Sequence, residues 1–443
     1  MLKRRCFIAF AVAVALALLV SVARADEKSM PILFIHGNGD NAAVWMTTMW
    51  RFETNGYPRQ LMEAVELRYP LAAAVYDQPQ PAHSTVAEAT AQIADAVSAL
   101  RHHTGAPKVV LVAHARGGIL ARQYLKERGA ASVAALVLCG APNHGVLISE
   151  KLLVGSEFNG ASAFLRALNG PGEVPPGVRV LTIRSDGNDK YAQADGRFIG
   201  YPGVATGVDA SAPALTGADN VAIARIDHRE AAFGPEAFTA MYRFITGRAP
   251  RTTQVRRERN PILEGTVSAF EDGAATNIGA AGAVVEVYKV SVQTGERIGN
   301  AWLRQVTSED GHWGPLKAES NAAYEFVVAA PGFPVTHIYR SPFARSSRFV
   351  DLRPQLLTKE DRDAGAVVYL SRPRGYLGLE RGRIALDGKP PPGIDADVPN
   401  LALARLTLAP EPRTVTAQYG RERIALRSWP LRDNQVSVAE LTW

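Results

Sequence analysis

The pattern of apolar and polar positions divides the chain near residue 248 into two textures. In the first, apolar runs at 31–35, 109–112, 133–139, 178–183 and 221–226 have the length and β-branched content of buried strands, with 66–69 a weaker candidate. Between them, apolar positions recur three and four apart. Residues 42–54 read as a helix closed by Asn55-Gly56. Val86, Ala89, Ile93, Val97 and Leu100 share one helical face, and Thr85-Val86-Ala87-Glu88 ahead of them has capping-box spacing. A last helix, 235–245, opens on proline and stops at Gly247. Strands and helices alternating at this spacing predict an α/β fold, a mainly parallel, doubly wound sheet. The rhythm breaks at 146–176, where 151–154 and 161–168 have the pattern of short amphipathic helices; a small lid and an ordinary surface insertion both fit.

Beyond Gly247 a charged, proline-punctuated connector at 250–260 leads into short β-rich runs separated by turn signals such as Glu271-Asp272-Gly273 and Gln293-Thr294-Gly295. No stretch there has helical periodicity. An all-β sandwich or barrel is predicted, divided near 352–365 into modules at 261–352 and 353–443. The aromatic runs 324–328 and 335–343 are too apolar to stand in water and are expected to border the site of the first domain, which spans 26–249.

The informative stretch lies at the third apolar run. It stops at Ala113-His114-Ala115-Arg116-Gly117, after which Leu120, Tyr124 and Leu125 recur at helical spacing, so the local order is strand, tight turn, helix. The pattern resembles the nucleophile elbow of the α/β-hydrolases, G-x-S-x-G, with two departures. Ala113 for the first glycine is mild, because only a small side chain is needed there. Ala115 stands where the serine would, and a methyl group can neither attack a carbonyl nor be activated by a base. The remaining parts of a serine hydrolase can be placed by chain order. His228 follows the last strand and precedes the closing helix, where such a fold delivers its base. Asp189 and Asp186 both follow the strand at 178–183 and are alternatives for the acid; Asp189 leaves room for a turn, and Asp186-Gly187 is itself a turn signal. The amides of Asn38 and Arg116 are the candidate oxyanion donors.

Other polar residues carry less. His102-His103 close a helix and suit its dipole, and His144 is expected to shape the loop beside the elbow. No zinc-like, EF-hand or phosphate-loop spacing occurs, so neither metal nor cofactor is expected.

Composition changes the picture in two ways. Lys3, Arg4 and Arg5, an apolar run and Ala23-Arg24-Ala25 read as a secretory signal at 1–25, cleaved before Asp26, which predicts a secreted or periplasmic protein. The formal charge of +6 includes four cations of that leader, which leaves the rest near +2 and gives no electrostatic case for nucleic acid. Cys6 leaves with the leader, so Cys139 cannot form an internal disulfide.

Residues 31–247 as a whole resemble secreted microbial lipases, esterases and extracellular polyhydroxyalkanoate depolymerases, through HGNGD, the elbow, APNHG and DHREAAFGPEAFTAMYRFITG. YEFVVAAPGFPVTHIYRSPF is similar to a segment of the β-barrel appended to an archaeal long-chain lipase. In that relative the acid would follow the strand ending here at Cys139, which cannot serve, so the acid rests on Asp189 or Asp186. The resemblance implies a lipid or polyester-like ester substrate and peripheral contact with lipid surfaces. Three functions remain open: a lipase or carboxylesterase whose serine is replaced by Ala115, a pseudo-hydrolase that binds acyl compounds without turnover, and a carbohydrate or surface-adhesion protein led by its β domains, which would require the first domain's pocket to be irrelevant.

Overall fold

The computed structural model describes residues 29–378 and 384–443. The expected leader at 1–25 lies outside the described residues. Six parallel strands form the first sheet: β1 (Ile32–Ile35), β2 (Met62–Val65), β3 (Val109–His114), β4 (Val133–Cys139), β5 (Arg179–Ser185) and, after a small hairpin of β6 (Asp195–Gly196) and β7 (Tyr201–Ala205), β8 (Asp219–Ile223). Their spatial order is β2-β1-β3-β4-β5-β8. Every residue of β1 and β3 is buried, which is why these runs are apolar throughout rather than alternating.

Side chains from successive strand positions go to opposite faces. Leu33, Ile35, Leu111, Ala113, Leu136 and Leu138 pack under α2 (Val86–Thr104) and α3 (Arg116–Glu127). Ile32, Phe34, Val110, Val112, Ala135 and Val137 face α1 (Met46–Thr54) and the last helix of this half, Pro235–Thr246. The helix boundaries follow the sequence signals. Thr85 and Glu88 form a reciprocal capping box, and α2 and the last helix end on Gly105 and Gly247 in left-handed conformation.

Two readings of this half are corrected. The second strand is Met62–Val65, not 66–69, because Met62, Ala64 and Val65 are the buried positions that pair with β1, and the chain has left the sheet by Glu66. Residues 151–154 are not helical. The Asn159 amide donates to the carbonyls of Ser149 (2.7 Å) and Leu152 (3.1 Å), and its oxygen accepts from the Ser149 amide, so the segment closes around that side chain as a loop. Only Ala163–Leu168 of the expected pair is a helix.

The second half is β-rich. A seven-stranded sheet runs in the order Leu303–Val306, Val284–Val290, Ala323–Ala329, Val335–Arg340, Gln435–Glu440, Ala366–Ser371, Leu403–Leu408. The Gln435–Glu440 strand lies parallel to both its neighbours, which come from either side of residue 352. The expected module boundary thus falls within one continuous sheet. One face, with Val287, Tyr324, Phe326 and Tyr369, also packs on Met46 and Trp50 of α1. The other, with Val368, Leu370 and Ala439, is covered by the small sheet of Ile384–Leu386, Thr414–Tyr419 and Glu422–Arg427. The aromatic runs at 324–328 and 335–343 therefore serve the core of this half. Other segments reach the loops at the edge of the first sheet: Arg372 to Tyr376, Asn277, which donates to the Asp40 (3.0 Å) and Leu67 (2.9 Å) carbonyls, and Asn400, whose carbonyl accepts from Lys190 at 3.0 Å.

Candidate active site

β1 and β3 are neighbours whose chain connections leave in opposite directions, and the loops at their carboxyl ends face each other at the switch point where ligands bind in open α/β sheets. Ala115 follows β3 with φ 47° and ψ −120°, a conformation that costs a non-glycine residue roughly 1–3 kcal/mol. Its amide is tied to the Cys139 carbonyl of β4 at 2.9 Å, and its carbonyl accepts from Gly118 at 2.9 Å. The turn tolerates no larger neighbours. A Cβ at position 117 would stand 2.5 Å from the His36 carbonyl oxygen, and one at 118 would stand 2.6 Å from the Ala141 Cβ. The turn after β1 comes equally close, since a Cβ at Gly37 would lie 3.1 Å from that of Ala115.

The structure joins His228 to Asp189. Nδ1 of His228 and Oδ2 of Asp189 are 2.9 Å apart, and the other carboxylate oxygen accepts from the Tyr191 amide at 2.9 Å. Burial pushes the Asp189 carboxyl up, but the His228 charge and hydrogen bond and the Tyr191 N–H outweigh it and hold the group below its ordinary value. An ionised Asp189 fixes the proton on Nδ1 and leaves the Nε2 lone pair as the basic site. Nε2 has no hydrogen-bond partner among the described residues. Asp186 acts elsewhere, its carboxylate accepting from the amides of Asn188 (3.1 Å) and Arg225 (2.8 Å) and so shaping the turn. A small cavity of about 100 Å³ opens beside Asp189 and His228, walled by Gly140, Asn143, Tyr191 and Leu215.

His228 is held by a device that can be read locally. Asp227 accepts from the amides of Arg229 (2.8 Å) and Glu230 (2.9 Å), and Glu230 accepts from the Asp227 amide (2.9 Å), so the histidine sits inside a D-x-x-E capping box. The Tyr191 ring meets the imidazole edge-on at 4.7 Å, and the His114 ring lies 5.0 Å away. His114 is buried, and burial keeps its pKa low although Asp40 stands 3.7 Å from it. Burial likewise pushes His36 down to about 4, so it is neutral, accepting from the Leu67 amide through Nε2.

Of the candidate oxyanion residues, Asn38 is in the exposed turn after β1, its side-chain oxygen accepting from Ala72 at 2.8 Å. Arg116 is the first residue of α3, the position where helix amides lack intrahelical acceptors. Its guanidinium has a separate role absent from the sequence reading. Fully buried, it pairs with Glu157 at 2.7 Å and donates to Pro70 and Ser84, tying the 70–84 and 146–162 loops to the elbow. His144 instead meets Glu173 at 2.6 Å.

The second half supplies further contacts that no local pattern announces. Arg372 donates to Asp227 (3.0 Å) and Glu230 (2.8 Å), the two ends of the capping box. The Tyr376 amide donates to Asp227 at 2.8 Å, and its ring lies 4.3 Å from the Lys190 ammonium and 5.1 Å from the Arg229 guanidinium. Arg229 itself pairs with Asp40 at 2.6 Å. Both the acid loop and the histidine loop thus rest on Arg372–Tyr376.

Comparison with known proteins gives two family models, "alpha/beta hydrolase fold" over residues 30–161 and "Lipase C-terminal domain" over residues 260–357. No curated protein matches the chain. Among solved structures, lipase B of Aspergillus fumigatus is 13% identical over 52% of this chain and 55% of its own, with a TM-score of 0.35, so the match spans about half of that lipase. A mature Bacillus licheniformis lipase is 18% identical over 51% of this chain and 95% of its own, with a TM-score of 0.37. A monoacylglycerol lipase of Paleococcus ferrophilus is 12% identical over 49% of this chain and 96% of its own, with a TM-score of 0.34.

Proposed function

We propose that this chain, a lipase-like α/β hydrolase with a C-terminal lipase domain, carries a site built to cleave lipid or polyester-like esters by a Ser-His-Asp mechanism and lacks only the attacking oxygen. The observation that carries this reading is the backbone of Ala115. A residue with no chemistry of its own keeps a costly φ of 47°, next in the chain to His114, whose ring lies 5.0 Å from that of the Asp189-paired His228, a strain that serves to present a side chain. With serine at 115, Nε2 of His228 would take the hydroxyl proton as the oxygen attacks the ester carbonyl. Asp189 would hold the imidazole tautomer, and the amides of Asn38 and Arg116 would receive the oxyanion. The imidazolium would then return the proton to the departing alcohol, and water would release the acid by the same steps. Export by a cleaved leader belongs to the same proposal.

The test is Ala115→Ser, followed by p-nitrophenol release from acyl esters of increasing length. Loss of a catalytic serine costs on the order of a millionfold in turnover, and most of that should return. It should vanish again in Ala115→Ser with His228→Ala. If Ala115→Ser stays at background while acyl compounds bind, the pseudo-hydrolase reading replaces this one.

A further inference from the structure

Behind the histidine loop, between the two halves, lies a second cleft of about 520 Å³. Arg51, Arg372 and Arg374 line it, each at least nine-tenths buried, together with Phe233, Val255 and Trp443. Arg372 has its carboxylates, Asp227 and Glu230. The other two do not. Arg51 donates to the carbonyls of Thr253 (3.1 Å) and Phe233 (2.8 Å), and Arg374 to those of Ala43 (2.6 Å) and Thr442 (3.3 Å); among the described residues neither has a carboxylate within 4.0 Å. The Nε atoms of Arg372 and Arg374 have no partner among the described residues. The acids nearest Arg374 are committed elsewhere: Glu440 pairs with Arg340 at 2.6 Å, and Glu422 accepts from the Thr442 and Trp443 amides.

A guanidinium removed from water without a counter-charge is costly, and carbonyl dipoles offset only part of that cost. Two such cations on one wall raise it further. Burial lowers Arg374 to about 9, with the Arg340 and Arg51 charges acting in the same direction and Glu440 and Glu422 against it, and burial lowers Arg51 to about 10 against the charge of Glu236. An anion between them reverses both effects, and a planar carboxylate or phosphate matches the guanidinium fork.

We propose that this interdomain cleft is a binding site for a carboxylate- or phosphate-bearing anion, held by Arg51 and Arg374 with any apolar portion against Phe233, Val255 and Trp443. Because Arg372 joins the cleft wall to the Asp227–Glu230 box, its occupant sits one side chain away from the loop that carries His228. The site owes nothing to Ala115 and is testable whatever Ala115→Ser does.

Calorimetric titration of the full chain with inorganic phosphate, acetate and hexanoate, at constant ionic strength in chloride, should show one saturable site. Arg51→Gln and Arg374→Gln should each weaken it at least about tenfold. Hexanoate binding more tightly than acetate and phosphate identifies an amphiphilic carboxylate; phosphate binding most tightly identifies a phosphate. Since either arginine variant could fail to fold, the arginine Nε resonances of the unaltered chain are followed in the same titrations, and those of the cleft should move. No saturable binding together with unmoved resonances, or binding unchanged in both variants, overturns the proposal.

Discussion

Among the described residues two buried imidazole–carboxylate pairs lie within 3 Å, and they are nearly equal in geometry. His228 meets Asp189 at 2.9 Å in the hydrolase half; His337 meets Glu325 at 2.7 Å in the β half. They differ in what surrounds them. Nε2 of His337 is taken by Gln435 at 3.1 Å, its ring is stacked on Trp429 at 4.3 Å, and Glu325 also receives Arg297 (2.6 Å) and Tyr339 (3.0 Å). Every polar atom is used, so the cluster pins strands together. His228 keeps a ring nitrogen without a partner among the described residues, in the wall of a cavity and 5.0 Å ring to ring from His114. A carboxylate behind an imidazole therefore does not by itself separate the proposed base from a structural histidine; the uncommitted second nitrogen is what distinguishes these two pairs.

The sharpest way to break this contrast is in the Ala115→Ser background. Asp189→Asn should lower ester turnover about 10⁴-fold by releasing the wrong tautomer, measured as kcat. Glu325→Gln should leave kcat within about twofold in whatever fraction remains folded. Equal losses would mean that the two pairs do not differ in kind. Stability should rank them the other way. Glu325→Gln leaves parts of a buried network unsatisfied and should cost about 3–5 kcal/mol, whereas Asp189→Asn, whose amide oxygen can still accept from Tyr191, should cost about 1 kcal/mol, both read from urea unfolding.

The smallest effect expected is in acid. Burial raises Glu325, but His337 and Arg297 outweigh it and leave the folded-state pKa below the ordinary carboxylate value, as with Asp189. A depressed carboxylate contributes stability that is fully present above its unfolded-state pKa and is lost as pH falls through the folded-state pKa. Unfolding midpoints measured from pH 7 down to pH 3 should therefore fall, and Glu325→Gln should flatten that limb more than Asp189→Asn. A parallel limb in Glu325→Gln would remove Glu325 as its source.

The sequence made the central strands legible because β3 and β4 are buried on both faces and so carry unbroken apolar runs. The helix ends were legible because Thr85, Glu88, Pro235 and Gly247 act on their own backbone neighbourhoods. His228 and the two acid candidates could be placed from chain order, and Asp189 was separated from Asp186 only by three-dimensional contacts. What stayed hidden depends on distant partners. The strand Met62–Val65 is short and mixed, and its register comes from β1. Asn159 overrides a helical pattern several residues before it. Arg116 and Glu157 are ordinary charged letters until a buried pair joins them. Arg372 and Tyr376 lie more than a hundred residues from the loops they hold, and nothing in Arg372-Pro373-Arg374-Gly375-Tyr376 signals a partner. The D-x-x-E box around His228 was the one missed feature with a local signal.

The place of Gln435–Glu440 in the middle of the seven-stranded sheet has a consequence for the order of assembly. This strand is synthesised after both of its neighbours, and among the described residues no other strand pairs with both Val335–Arg340 and Ala366–Ser371. The seven-stranded sheet keeps two open edges until Gln435–Glu440 has emerged, a high-contact-order closure that is intrinsically slow and exposed to misassembly. Arg372 and Tyr376 follow Ala366–Ser371 directly, so their place against the histidine loop is tied to the assembly of that sheet. A ribosome-bound intermediate would thus hold a folded first half whose histidine loop is not yet braced, and the order of the site would follow the assembly of the second half.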